Sequence, residues 1–290
     1  MTRFGDFDVF CQDSTLAVCN LMSKHHNQSG TWGGCELKGI PLSGGRHLGN
    51  LGVILLSAIA IVMTAFLILL SSRRKAAVGR IEMEVFLGGY AFIQFCEIFT
   101  IGSFPLNEKV RVFFTALHIG AIIATTWVLM LNAVVGYQIL DDGTPVSVGL
   151  VFGSAAPLFL GTVYIAFDTG YSWTGYWDDS YSGSNRHIAL YVLYQVAPLI
   201  FLAVYFVLET VLVVKVLEEW VPLIWLGGAV AFFALGQVFN YTISSSICNG
   251  TSGKIDGSMF ETFFTMISVS LVWYFWTTIT EDDWASSAYA

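Results

Sequence analysis

Residues 51–80 read LGVILLSAIAIVMTAFLILLSSRRKAAVGR, and that run decides the fold. Leu51 through Leu70 contains no charged side chain. An apolar run of roughly 20 residues matches the hydrocarbon thickness of a bilayer when it is helical. Helix is the expected form, because lipid offers no partner to a free backbone N–H or C=O. Directly after the run come Arg73, Arg74, Lys75 and Arg80, against Lys38 and Arg46 just before it. That excess of basic residues puts 71–80 in the cytosol and the N-terminus outside it.

With the first span taken as 48–70, six more apolar stretches follow at approximately 83–104, 111–136, 147–167, 188–211, 221–243 and 259–279. The expectation is an all-α integral membrane protein, a bundle of seven transmembrane helices with a lumenal N-terminus and a cytosolic C-terminus. Six and eight are the neighbouring counts. A lumenal segment over 1–47 precedes the helical domain over 48–280, and a short acidic cytosolic tail covers 281–290. The second and fifth stretches are less clean, since they carry Glu84, Glu97 and Glu209. Gly88, Gly89, Pro157, Pro198, Gly227 and Gly228 would weaken a soluble helix, but neighbouring helices satisfy such freed backbone groups in a membrane. The first 47 residues hold no apolar core of signal-peptide length, so the first helix is expected to act as an uncleaved signal anchor.

Composition points the same way. Of 290 residues, 55% are hydrophobic and 12% charged, and the mean hydropathy is +0.67. A soluble chain carries roughly a quarter charged residues, so the apolar excess here faces membrane lipids. A net charge of −8 and the lack of a basic stripe exclude nucleic acid as a partner.

The cysteines fit this orientation. Cys11, Cys19, Cys35 and Cys248 all fall in segments expected to be lumenal, where oxidising conditions favour disulfides. Cys248 is expected to pair with an N-terminal cysteine; alternatively Cys11 pairs with Cys19, leaving Cys35 for Cys248. Cys96, inside the second span, reads as a packing residue. The sequons at Asn27 and Asn249 are also lumenal, whereas the one at Asn240 lies at membrane depth and is expected to stay unmodified.

A search for chemistry returns little. Metal or hydrolytic work needs several ligands converging at one depth. Of the five histidines only His118 lies within a span, and it reads as a hydrogen-bonded interhelical residue. No nucleophile elbow, phosphate-binding loop or dinucleotide fingerprint is present, so no enzymatic activity and no cofactor is expected. The polar residues at membrane depth are Gln94, Glu97, His118, Asn132, Gln195, Glu209, Gln237 and Asn240. Charge is costly in hydrocarbon, so Glu97 and Glu209 should face the bundle interior, a cavity or a partner. Hydrogen bonds that fix helix packing are the favoured reading, and a proton or substrate path is the other. The aromatic residues Trp173, Tyr176, Trp177 and Tyr181 suit a belt at headgroup level.

Seven spans invite comparison with receptors and retinal proteins. The third span runs into Val134-Val135-Gly136-Tyr137 rather than Asp-Arg-Tyr, and residues 259–279 hold neither proline nor lysine. Both classes lose their central residues, and a seven-helix transporter or receptor for a small ligand stays as the second reading.

A different set of motifs carries a resemblance. Phe4-Gly5-Asp6-Phe7 precedes Cys11 and Cys19, and Ala77-Val78-Gly79-Arg80 follows the first helix. Gly136-Tyr137-Gln138 and Asp142-Gly143-Thr144-Pro145 follow the third. Further on stand Gly236-Gln237-Val238, Ser245-Ser246 with Cys248, Asp256-Gly257, and a final run from Tyr274 to Ile279-Thr280. In order and spacing the chain resembles the fungal chitin synthase export chaperones over nearly its whole length. The resemblance implies a non-enzymatic protein of the endoplasmic reticulum membrane. Such a protein would help a polytopic chitin synthase fold and leave that compartment, and would travel on with it to the plasma membrane as a partner subunit. One lipid-facing flank of the bundle and its cytosolic loops would bind the synthase. The turn Asp142, Gly143, Thr144, Pro145 is the candidate partner contact, with glycine permitting positive φ and proline fixing its own.

Overall fold

A computed structural model describes residues 4–5, 7, 10–11, 14–28, 37–41, 47–102, 104, 107–138, 143–177 and 187–280. Its helices are α1 (Leu51–Ser71), α2 (Arg80–Phe99), α3 (Glu108–Gly136), α4 (Pro145–Tyr171), α5 (Ile188–Val216), α6 (Pro222–Tyr241), the short α7 (Ser244–Gly250) and α8 (Gly257–Ile279). A 3-10 helix, Ala17–Gln28, precedes them. The two-residue strands Ile40–Pro41 and His47–Leu48 pair antiparallel and are the only strands among the described residues. The tail over 281–290, Tyr181, Cys35 and Asp142 lie outside the described residues.

Six of these helices are long and apolar enough to cross a membrane. The seventh long helix, α2, has 20 residues but includes Arg80, Glu82, Glu84 and Glu97, which lower its apolarity. It also starts earlier and stops earlier than the stretch 83–104. The N–H of Thr100 turns back to the carbonyls of Cys96 and Glu97, and that of Gly102 to Glu97, which closes the helix. In contrast, α5 runs on to Val216 because a π turn, Leu212–Val216, continues it past Val211; another π turn, Val192–Val196, lies near its start. The turn Val192–Val196 ends two residues before Pro198, which has no N–H to give to a normal turn.

The sequence of α1 shows how the bundle forms. Ser57, Ala60, Thr64 and Ser71 recur at helical spacing and are buried, while Leu55, Ile59, Val62, Phe66 and Leu69 on the other face are exposed. Small residues inside and bulky apolar ones outside are what lipid-embedded helices use, because packing and interhelical hydrogen bonds replace the hydrophobic drive. The Thr64 and Ser71 hydroxyls donate to the carbonyls four residues back, whereas the buried Ser57 hydroxyl on the same seam has no hydrogen-bond partner among the described residues.

Helix α2 packs between α1 and α3, α3 carries α4 and α5 on its other faces, and α8 packs along α6 and against α1. At one end, the Arg74 guanidinium after α1 donates to the Thr277 carbonyl at 3.2 Å, tying the first basic loop to the end of α8. At the other end the N-terminal segment folds over the bundle. Phe7, Cys11, Leu16, Val18, Cys19, Leu21 and Met22 are buried against Val112 and Ile119 of α3, Val163 of α4 and Leu190 of α5. The described part of this segment from Phe7 to Met22 is therefore packed on the helices it precedes.

Candidate functional site: a polar interior under a lid

Helices α2, α5, α6 and α8 contribute to one polar cluster. Both oxygens of the Glu97 carboxylate on α2 accept hydrogen bonds, one from Thr262 of α8 at 2.5 Å and one from Gln94 at 2.9 Å. Adjacent to Thr262 in the chain, Glu261 accepts from Gln237 (3.2 Å) and Asn240 (2.5 Å) of α6. The Tyr241 hydroxyl donates to Gln195 on α5 at 2.7 Å. Glu97 and Asn240 are buried, at 6% and 0% exposed. Each carboxyl thus sits among neutral donors, with no cation beside it, which is how a carboxyl is held at membrane depth without a counter-ion.

The other predicted polar residues divide. Asn132 on α3 donates to the Gly79 carbonyl at 2.9 Å, and the Trp276 indole on α8 donates to Val78 at 2.9 Å. The motif Ala77-Val78-Gly79-Arg80 is therefore held from two helices. Gly79 has φ +70°, and a Cβ there would stand 2.6 Å from the Asn132 amide nitrogen, so only glycine fits. His118 differs from the expectation of a hydrogen-bonded residue. It is buried, and its Nδ1 has no partner in the protein. Glu209 is also buried, as expected for a charge at that depth, but one of its oxygens is unpartnered. Interhelical hydrogen bonding accounts for Glu97, Asn132, Gln195, Gln237 and Asn240; Gln94 donates within α2 to Glu97, and His118 and Glu209 are not accounted for.

Sequence reasoning missed several members. Glu261 stands inside the last apolar stretch and was legible there as a carboxyl near the start of a span. Asp256 and Asn50 form a second node. Asn50 caps α1 by accepting from the Val53 N–H at 3.2 Å, and its amide donates to Asp256 at 2.8 Å and Ser258 at 3.2 Å. Asp256 also accepts from Thr15 at 2.7 Å. This node fastens the N-terminal segment to the starts of α1 and α8. Asp168, at the end of α4, accepts from the Thr174 N–H and hydroxyl and the Trp177 N–H. It shapes the aromatic loop in which Trp173 and Tyr176 are exposed and Trp173 stacks on Tyr171.

Among the candidate disulfides, Cys11 and Cys19 are bonded to each other, with Cα atoms 5.8 Å apart. Cys248 is disulfide-bonded as well, and Cys96 is free and buried. Asn249 is exposed, and the side chain of Asn27 lies outside the described residues. In the candidate turn, Gly143 has φ +69°, the Thr144 hydroxyl accepts from the Ser147 N–H at 3.2 Å, and Pro145 opens α4. These three residues are the N-terminal cap of that helix.

Among the described residues no group of His, Cys, Asp and Glu is arranged to hold a metal. The family model described as chitin synthase export chaperone matches residues 3–289. Relatives bearing that name come from Aspergillus fumigatus (32% identical, 97% of this chain, 84% of the relative), Coccidioides immitis (31%, 97%, 83%) and Cryptococcus neoformans (29%, 97%, 76%). No solved structure matches the chain. With the match running over almost every residue, the chain belongs to the chitin synthase export chaperone family.

Proposed function

We propose that this protein is a seven-span chaperone of the endoplasmic reticulum membrane that binds a polytopic chitin synthase, promotes its folding and releases it for export. The N-terminus is lumenal and the C-terminus cytosolic in this reading, with α2 as the seventh span. The observation that carries it is the family match over residues 3–289. The four basic residues after α1 support the orientation.

The bundle offers a surface suited to a client helix. Helix α4 lies at the periphery, packed chiefly along α3. Gly149, Gly153 and Gly161 fall four or eight residues apart on its exposed side, and a Cβ at any of them would touch nothing. Pro157 lies on the same side and has no N–H to give to the Gly153 carbonyl. A stripe of glycines lets a second helix come close in lipid, and an under-satisfied carbonyl there favours a partner that brings a donor. Together with the turn Asp142 to Pro145 at its start, α4 is the proposed synthase contact.

The test is the position of a fluorescently tagged chitin synthase in cells lacking this chain. Retention in the endoplasmic reticulum, reversed by the wild-type chain, supports the export role. A Gly149→Ile/Gly153→Ile variant made at normal level should restore delivery poorly, and co-purify the synthase at least fivefold less. Normal delivery without the chain would overturn the reading.

A further inference from the structure

Although only residues 217–221 connect α5 to α6, the two helices do not pack along one another; α5 lies on α3 and α6 on α8. Between them is a half-enclosed cavity of about 510 Å³. Leu199 and Phe206 of α5 and Val230 of α6 line it and are also exposed on the outer face of the bundle, so the opening is sideways. Leu16 of the N-terminal segment lines it too, and the bond from Tyr241 to Gln195 joins α5 to α6 at that end.

Polar side chains interrupt a mostly apolar lining. Four lining side chains carry polar atoms with no partner in the protein: the hydroxyls of Tyr90 and Tyr205, Oε1 of Gln94 and Nδ1 of His118. These residues are 4%, 3%, 1% and 4% exposed. A buried polar atom without a partner is costly, and more so where no water reaches it. The two carboxyls of the wall are already engaged, Glu97 by Thr262 and Gln94, Glu261 by Gln237 and Asn240. They are not waiting for a cation. Among the described residues no lysine or arginine lines the space, so a phosphate head would meet no positive charge from them. What stays open is a set of neutral donors and acceptors among the side chains lining a mostly apolar slot.

We infer that this cavity is a binding site for a neutral, hydroxyl-headed membrane lipid, which enters between α5 and α6. Its hydroxyl lies among Tyr90, Gln94 and His118, and its apolar body lies toward Leu202, Phe206 and Val230. A spanning helix of a partner is a poorer fit. With side chains a helix is about 10–12 Å wide, so about one turn fills this volume. Sterols and diacylglycerols share the required chemistry, and the experiment separates them.

The purified full chain is placed in phosphatidylcholine vesicles containing a photoactivatable sterol, diacylglycerol or phosphatidylcholine, and labelled peptides are mapped. The expected result is labelling of α5 and α6 by the sterol or the diacylglycerol at least fivefold above the phosphatidylcholine probe, suppressed by excess of the same unlabelled lipid. Ala203 lines the cavity and is exposed. Ala203→Trp should therefore block the opening and lower labelling at least fivefold with thermal unfolding unchanged. Whichever hydroxyl probe labels identifies the lipid class. Equal labelling by all three probes, labelling that also covers the outer face of α1, or labelling that excess lipid leaves unchanged would overturn the site. So would the absence of labelling, including the case in which a cysteine placed at Ala203 cross-links to co-reconstituted synthase instead.

Discussion

Thr262 on α8 donates a 2.5 Å hydrogen bond to Glu97 on α2, joining residues 165 positions apart. The bond holds the last helix against the second through a carboxyl that has no cation beside it. Thr262→Val keeps the shape and removes the donor. The expected loss is about 1 kcal/mol of stability, since hydrogen bonds between membrane helices are worth roughly that much. The thermal midpoint of the purified protein should fall, and Thr262→Ser should restore it.

Gly79→Ala should cost more. It places a side chain at φ +70° and drives a Cβ to 2.6 Å from the Asn132 amide. Backbone strain of this kind costs about 1–3 kcal/mol, and the Asn132 bond to the same residue is disturbed in addition. Lower accumulation in the membrane and a lower midpoint than for Asn132→Ala are the expected readouts.

The cysteines make a separate prediction. Cys11 is bonded to Cys19, Cys248 is bonded, and Cys96 is free. Of five cysteines in the chain, Cys35 is the one that these statements leave for Cys248. Peptide mapping without reductant should recover Cys35 linked to Cys248 and Cys11 linked to Cys19. A free thiol at Cys35 would count against the pairing. Losing such a link typically costs a few kcal/mol.

Glycosylation reads out the orientation. Asn249 is exposed on the short α7, whereas Asn240 is fully buried and donates to Glu261. With a lumenal N-terminus, Asn249→Gln should remove a glycosidase-sensitive mobility step, and Asn240→Gln should leave the pattern unchanged. A wild-type chain without any such step, made with both lumenal sequons intact, would speak against this topology.

How much of this was legible in the residues depends on the range of the interaction. Six membrane-length helices follow from long, predominantly apolar runs, because lipid requires each run to satisfy its own backbone. Helix α2 was harder for the same reason: its acidic residues lower the apolar signal, and only neighbours explain them. Glu97 was recognised as inward-facing from its cost in hydrocarbon, but its partners were not, because Thr262 is an ordinary threonine until α8 is laid beside α2. His118 was expected to be bonded, yet its Nδ1 has no partner among the described residues and the residue lines a cavity that no local pattern announces.

By itself, the sequence determined that this chain enters a membrane, how many long apolar segments it has, which end of the first is basic, and which family it resembles. Those are properties of local composition and of motif order along the chain. Tertiary structure alone decided that Cys11 closes on Cys19, that Asn50 meets Asp256, that Glu261 stands between Gln237 and Asn240, and that α5 and α6 stay apart. Each of these depends on which faces of distant helices come into register, and helices that are apolar all round carry little pattern to say which faces those are.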